Sequence, residues 1–151
     1  MKTMMAVLAA SIALFLTGCA TSYAPADFSV SGGFSEIRLA PETYRVLVEG
    51  NGFTMRTEVE QYLLRRCAEL TLEQGKRYFV LEQHDAWINA RRTRDGVVTS
   101  PRNEAVMTMT NEKSRDAFDA VTIIEETNEI ANGRLSKKAK ATLAGISAGA
   151  A

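Results

Sequence analysis

The 151-residue chain has little of what most chemistry needs. It holds one histidine, one tryptophan and two cysteines, and its 18 basic and 18 acidic side chains cancel to a formal net charge of zero. Two cysteines cannot build a disulfide-rich scaffold. Balanced charge leaves no basic footprint for nucleic acid. The predominantly apolar run Met4 to Leu16 falls short of the roughly 18–20 residues that span a bilayer. No Cys-x-x-Cys pair, phosphate-binding glycine loop or EF-hand pattern occurs. At 46% apolar and 24% charged residues the composition is that of an average globular protein. That excludes a disordered polymer, a collagen-like repeat and a polytopic membrane protein.

What is present begins at the amino terminus. Lys2 precedes the apolar run, which has the length of a signal-peptide core. Leu16-Thr17-Gly18-Cys19 follows and resembles the bacterial lipobox. The resemblance implies removal of residues 1–18 and acylation of Cys19. Three acyl chains, at about 0.8 kcal/mol per buried methylene, make a lasting anchor. Ala20, where the enterobacterial sorting rule reads aspartate as inner-membrane retention, favours the outer membrane. Cys67 is then a lone thiol, on the helix stripe Val59, Leu63, Cys67 and Leu70, and reads as a small core residue.

Residues 19–33 are rich in Ser, Ala, Gly and Pro and read as a flexible tether with a reach of roughly 20 Å. Ser35 to Leu39 and Thr43 to Glu49 alternate polar and apolar around Pro41-Glu42, which predicts a β-hairpin. Thr57 and Glu60 have capping-box spacing. They open a helix with Glu58, Gln61, Arg65 and Glu69 largely opposite its apolar stripe, and Gly75 closes it. Tyr78 to Glu82 predicts a strand, residues 85–101 a long exposed connection, and Glu104 to Thr110 a fourth strand. In Asp116 to Ile130, Val121 to Ile124 alone would suit a strand, but length and the acidic start favour a helix ending at Asn132-Gly133. The expected fold class is therefore α+β, in the order β-β-α-β-β-α. It is a small antiparallel sheet with helices on one face, formed by a domain over 34–133. Residues 134–151 are small and basic and predict a disordered tail. Charge separates the two: residues 34–133 hold 13 basic and 17 acidic groups, and the tail four basic and none acidic.

Gly33-Phe-Ser-Glu-Ile-Arg-Leu39, Tyr44-Arg45-Val46, Gly50-Asn51-Gly52 and Tyr62-Leu-Leu-x-Arg-x-Ala-Glu-Leu-Thr71 resemble a family of small proteobacterial lipoproteins of unknown function. The likeness covers roughly residues 33–82. It implies a lipoprotein but brings no established activity or catalytic residues.

The search for chemistry yields few candidates. His84 adjoins Asp85, but neighbours in a strand point to opposite faces. Gly145-Ile-Ser147-Ala-Gly149 matches a nucleophile elbow in letters, without the strand and helix that motif needs. Arg91, Arg92 and Arg94 form a compact basic cluster suited to an anionic envelope component such as lipopolysaccharide phosphate or a peptidoglycan carboxylate, or to a solvated loop. Trp87 and Tyr78 could add an aromatic contact surface or join the core. No metal ligand set and no cofactor is expected. The expected function is that of a non-enzymatic, lipid-anchored lipoprotein of the outer membrane, facing the periplasm. It would be an adaptor or structural factor whose partners are the membrane, through Cys19, and other envelope components, and not nucleic acid. Two alternatives stay open: a sensor or binding module for a small periplasmic ligand, and a hydrolase using His84.

Overall fold

The apolar stripe of the central helix decides where the core forms. The computed structural model describes residues 22–26 and 32–149. Helix α1, Arg56–Glu73, buries Val59, Leu63, Cys67 and Leu70 along with Ala68 and Leu72. Each large aliphatic side chain taken fully out of water contributes about 1.5–3 kcal/mol. The helix starts two residues earlier than the Thr57 signal indicates. Asn51 closes a tight turn, its Oδ1 accepting from the Phe53 amide (2.9 Å) and the Thr54 hydroxyl (3.0 Å). Met55 thereby becomes the N-cap, and the Glu58 carboxylate accepts its amide proton (2.7 Å). The reciprocal glutamate of a capping box is present without the usual serine or threonine. Gly75, at φ +73°, ends α1 as expected, with the Lys76 amide reaching back to the Thr71 carbonyl (3.0 Å).

Alternation builds the sheet under this helix. Strands β1 (Gly33–Ala40), β2 (Thr43–Glu49), β3 (Tyr78–Thr93), β4 (Gly96–Thr110) and β5 (Phe118–Asp119) run antiparallel in the order β1-β2-β4-β3-β5. Tyr44, Val46 and Val48 of β2 and Ala105, Met107 and Met109 of β4 point to the helices and are buried. Among the described residues the opposite face carries no helix. It holds Arg45 against Glu104 (3.5 Å), Arg102 against Glu49 (3.1 Å) and the Thr43–Thr108 hydroxyl pair (3.1 Å). The fold is thus α+β with its helices on one face of an antiparallel sheet.

Several boundaries differ from the sequence reading. Residues 85–101 are not a loop. They continue β3 and β4 into a two-stranded arm that turns at Arg94-Asp95, with Thr93 opposite Gly96. Gly96 sits at φ +137°, which a β-carbon would strain. The arm is exposed on both faces from Glu82 to Thr99 except for half-buried Asn89, so its sequence carries no alternation to read. Pro101 lies within β4 but just past Arg102, the last residue paired to β2. Its missing N–H therefore costs no ladder bond, and its carbonyl accepts from the Gly50 amide (2.8 Å).

The helix expected over 116–130 shortens to α2, Ala120–Glu126. Asp119 is the cause: it pairs with β3, binds Arg77 (2.9 Å) and N-caps α2 through the Val121 amide (3.0 Å). Turns then lead to Asn132 (φ +49°) and Gly133 (φ +67°). The segment expected to be a tail forms α3, Lys137–Gly149. Ser136 caps it through the Ala139 amide (3.2 Å). Ala139 is buried, and Leu143 and Ile146 pack on the core. Part of the expected tether is also docked. Tyr23 is buried between Phe34 and Tyr62, with ring centroids 4.9 and 5.5 Å away. Ala24 and Ala26 exchange backbone hydrogen bonds with Phe34. Gly33 permits that approach, because a β-carbon there would lie 2.7 Å from the Ala24 carbonyl oxygen. Among the described residues, no helix is long and apolar enough to cross a membrane.

Candidate functional site

Two regions concentrate polar side chains. One is a buried ionic network on the polar side of α1, which the sequence reading placed opposite the apolar stripe. Arg65 is fully buried and Glu69 nearly so. The Arg65 guanidinium donates to Glu69 Oε1 (2.9 Å), the Ile124 carbonyl (3.0 Å), the Thr127 hydroxyl (3.3 Å) and the Arg134 carbonyl (2.7 Å). It thereby ties the end of α2 and the entry to α3 onto α1. Glu69 Oε2 accepts from the Tyr23 hydroxyl (2.6 Å) and from Arg66 (3.1 Å). Arg66 also grips Glu36 (2.8 Å), lies 3.5 Å from Glu73 and covers the Phe34 ring. The i,i+4 spacing of Arg65 and Glu69 was visible in the sequence. Their burial was not, because α2 and α3 cover that side of the helix.

This network walls a hollow of about 460 Å³ lined by Tyr23, Phe34, Arg66, Glu73, Arg134 and Lys140 among others. Burial first, then the charge of Glu69 and its hydrogen bond, raise the Tyr23 hydroxyl above the usual phenol range, so it remains a donor. Burial disfavours charge on Arg66, but the hydrogen bond and charge of Glu36, with the charge of Glu73, outweigh it and raise its pKa. Arg66 already meets three carboxylates, so it is a neutralised wall and not a vacant anion receptor.

The second region is the arm. Arg91, Arg92 and Arg94 are exposed on it, yet they do not form one patch. Arg91 pairs across from Val98 and Arg92 from Val97, on opposite faces, while Arg94 sits in the turn. Among the described residues none of the three has an ion-pair partner. Trp87 is 37% exposed with the Arg102 guanidinium 5.8 Å from its ring centre. Ile88, Val97 and Val98 are exposed as well. The basic arginines, exposed aliphatics and Trp87 suit this ribbon to a contact surface.

The remaining candidates fall elsewhere. Cys19 lies outside the described residues. His84 and Asp85 occupy opposite faces, opposite Ala105 and Glu104, and His84 Nε2 is 2.8 Å from the Asn103 amide oxygen. A hydrolase would need a hydroxyl or carboxylate there. Ser147 is on the exposed side of α3 and donates to the Leu143 carbonyl (3.0 Å), with no strand leading into it. Cys67 is fully buried, and burial pushes its thiol up to about 12, which keeps it unreactive at neutral pH. Among the described residues no group of three or more His, Cys, Asp or Glu side chains converges as a metal site. No family model matches the chain, and neither a curated protein nor a solved structure matches it.

Proposed function

We propose that this protein is a lipid-anchored envelope lipoprotein, facing the periplasm from the outer membrane, that acts without catalysis as an adaptor or structural factor. The observation that carries the reading is the spacing between Cys19 of the lipobox and Tyr23. Only Ala20, Thr21 and Ser22 separate an acylated Cys19 from a side chain buried in the core. At no more than about 3.6 Å per residue, that leash holds the body within roughly 15 Å of the anchor. A body held so close gains reach from a projection, and the arm supplies one. Its arginines suit phosphate or carboxylate groups of the envelope.

Replacing Cys19 with Ala tests the anchor: acylation and cleavage of the precursor are both lost, and unchanged processing with unchanged membrane fractionation overturns it. For the adaptor role, crosslinking in intact envelopes compares wild type with an Arg91/Arg92/Arg94 triple alanine variant. The variant loses partners that wild type captures. An identical partner set removes the arm from the reading.

The hollow beside Tyr23 supports a second reading, a module for a small polar ligand. It predicts that Lys140→Glu changes binding in a periplasmic metabolite screen while leaving the fold intact. A screen that finds no ligand for wild type sets it aside.

A further inference from the structure

Among the described residues the arm leaves one strand edge open, and its chemistry is self-complementary. The Pro101 carbonyl is bonded to Gly50 and the Met109 amide to the Glu42 carbonyl. The odd-numbered residues of β4 therefore turn their backbone groups toward β2, and the even-numbered ones toward β3. Arg102 bonds Trp87 and Glu104 bonds Asp85 in that pattern. It follows that His84, Ala86, Ile88, Ala90 and Arg92 aim their N–H and C=O groups outward. β5 covers only Tyr78 and Phe79 of this edge. Among the described residues no other backbone hydrogen bond reaches it. The opposite edge of the arm is flanked by the 50–54 turn, where Gly52 sits against Val98. Exposed strand edges are normally blunted by charged side chains, proline, bulges or a covering segment. The stretch from Glu82 to Thr93 contains no lysine and no proline, its bulge lies at its start between Leu81 and Gln83, and among its charges Asp85 and Arg91 are of opposite sign.

We infer that this edge pairs with the same edge of a second copy of the chain, antiparallel and two-fold about Ile88. In that register each outward residue meets an outward residue: Ile88 meets Ile88, Ala86 meets Ala90 and His84 meets Arg92. On the helix-free face of the sheet Asp85 then stands directly opposite Arg91, twice by symmetry, and Trp87 opposite Asn89. Shifting the axis to Trp87 sets Asp85 against Asn89. Shifting it to Asn89 sets Asp85 against Thr93. Neither pairs the acid with the base, so charge selects Ile88. Moving the register by a single residue sets outward backbone groups against inward ones. The geometry also leaves room. Thr93 of the second copy reaches only as far as Gln83, and β5 keeps its place beside Phe79. A two-stranded ribbon is marginal by itself, and pairing converts two ribbons into one four-stranded sheet between the two bodies.

This inference makes no use of the lipid anchor, so it stands or falls separately from the proposed localisation. The test is sedimentation equilibrium of the full chain in a density-matched nonionic detergent. It compares wild type with Asp85→Arg, Arg91→Asp and the double variant carrying both changes. Each single change sets like charges opposite one another at two symmetric positions. It raises the dimer dissociation constant by about tenfold or more. The double variant restores opposite charges and returns to within about threefold of wild type. All four proteins share the same anchor, so micelle effects cancel. Thermal melting of each shows that the body is folded. A wild type that stays monomeric at about 100 μM, single variants that dimerise like wild type, or a double variant as weak as the singles would each overturn the pairing.

Discussion

The body and the arm are built from the same two strands, yet they obey different rules. Within the body, β3 and β4 alternate. Phe79, Ala105, Met107 and Met109 point under the helices and are buried, while Val80 and Thr108 face away. Past Arg102 the same strands lose the helix above them and β2 beside them. From there alternation lapses, and charged, polar and aliphatic residues occupy both faces. Alternation therefore reports what covers a strand, not whether a strand exists. Hydrogen bonding across the hairpin and the Arg94-Asp95 turn are enough to hold the extended conformation.

That contrast predicts where substitutions matter. Glu69→Ala should cost the most, about 3–5 kcal/mol in chemical denaturation, because it strands the buried Arg65 charge. Alkaline pH should weaken the body next. Cys67 has an ordinary value of 9.0, pushed up to about 12 in the fold. Its contribution is intact below pH 9 and is lost as pH rises from 9 to 12, by roughly 4 kcal/mol in all. Cys67→Ala should flatten the stability–pH curve in that window. An unchanged slope would show that the thiol is not the buried group responsible. Tyr23→Phe should follow at about 1.5–3 kcal/mol, the worth of a hydrogen bond to a charged acceptor. Gly96→Ala should speed hydrogen exchange across residues 86–101 and leave body amides untouched, at a local cost of about 1–2 kcal/mol. The Arg91/Arg92/Arg94 triple alanine variant should move global stability least, within about 0.5 kcal/mol. A loss approaching that of Glu69→Ala would mean that the arm belongs to the core after all.

The same contrast explains how much was legible beforehand. The central helix, its stripe and its Gly75 terminus could be read because one-sided burial leaves a period in the sequence. The first hairpin and the apolar halves of β3 and β4 were readable for the same reason. The arm was misread as a loop because none of the described residues covers it. α3 was misread as a tail because its inner face is marked only by Ala139, Leu143 and Ile146, among small residues and lysines. Ser136 was the signal available, as a hydroxyl residue opening that run. Tyr23 and Phe28 are the only aromatics among the small residues of 19–33, and two so spaced carry no period. Arg65 and Glu69 looked like solvent-facing charges because no local rule announces that two later helices will close over them. Of the candidate site, the basic residues of the arm were found from their clustering. Their division between two faces emerged only once the segment was known to be extended.

Arg65 also sets an order of assembly. A chain made from its amino terminus presents Tyr23, Glu36 and Glu69 early, but the last acceptor of the Arg65 guanidinium is the carbonyl of Arg134. Until that residue emerges, a mid-chain cation destined for full burial lacks part of its coordination, and α1 cannot be sealed. The Arg65 coordination, and with it the closure of α2 and α3 onto α1, is therefore completed only once Arg134 is available.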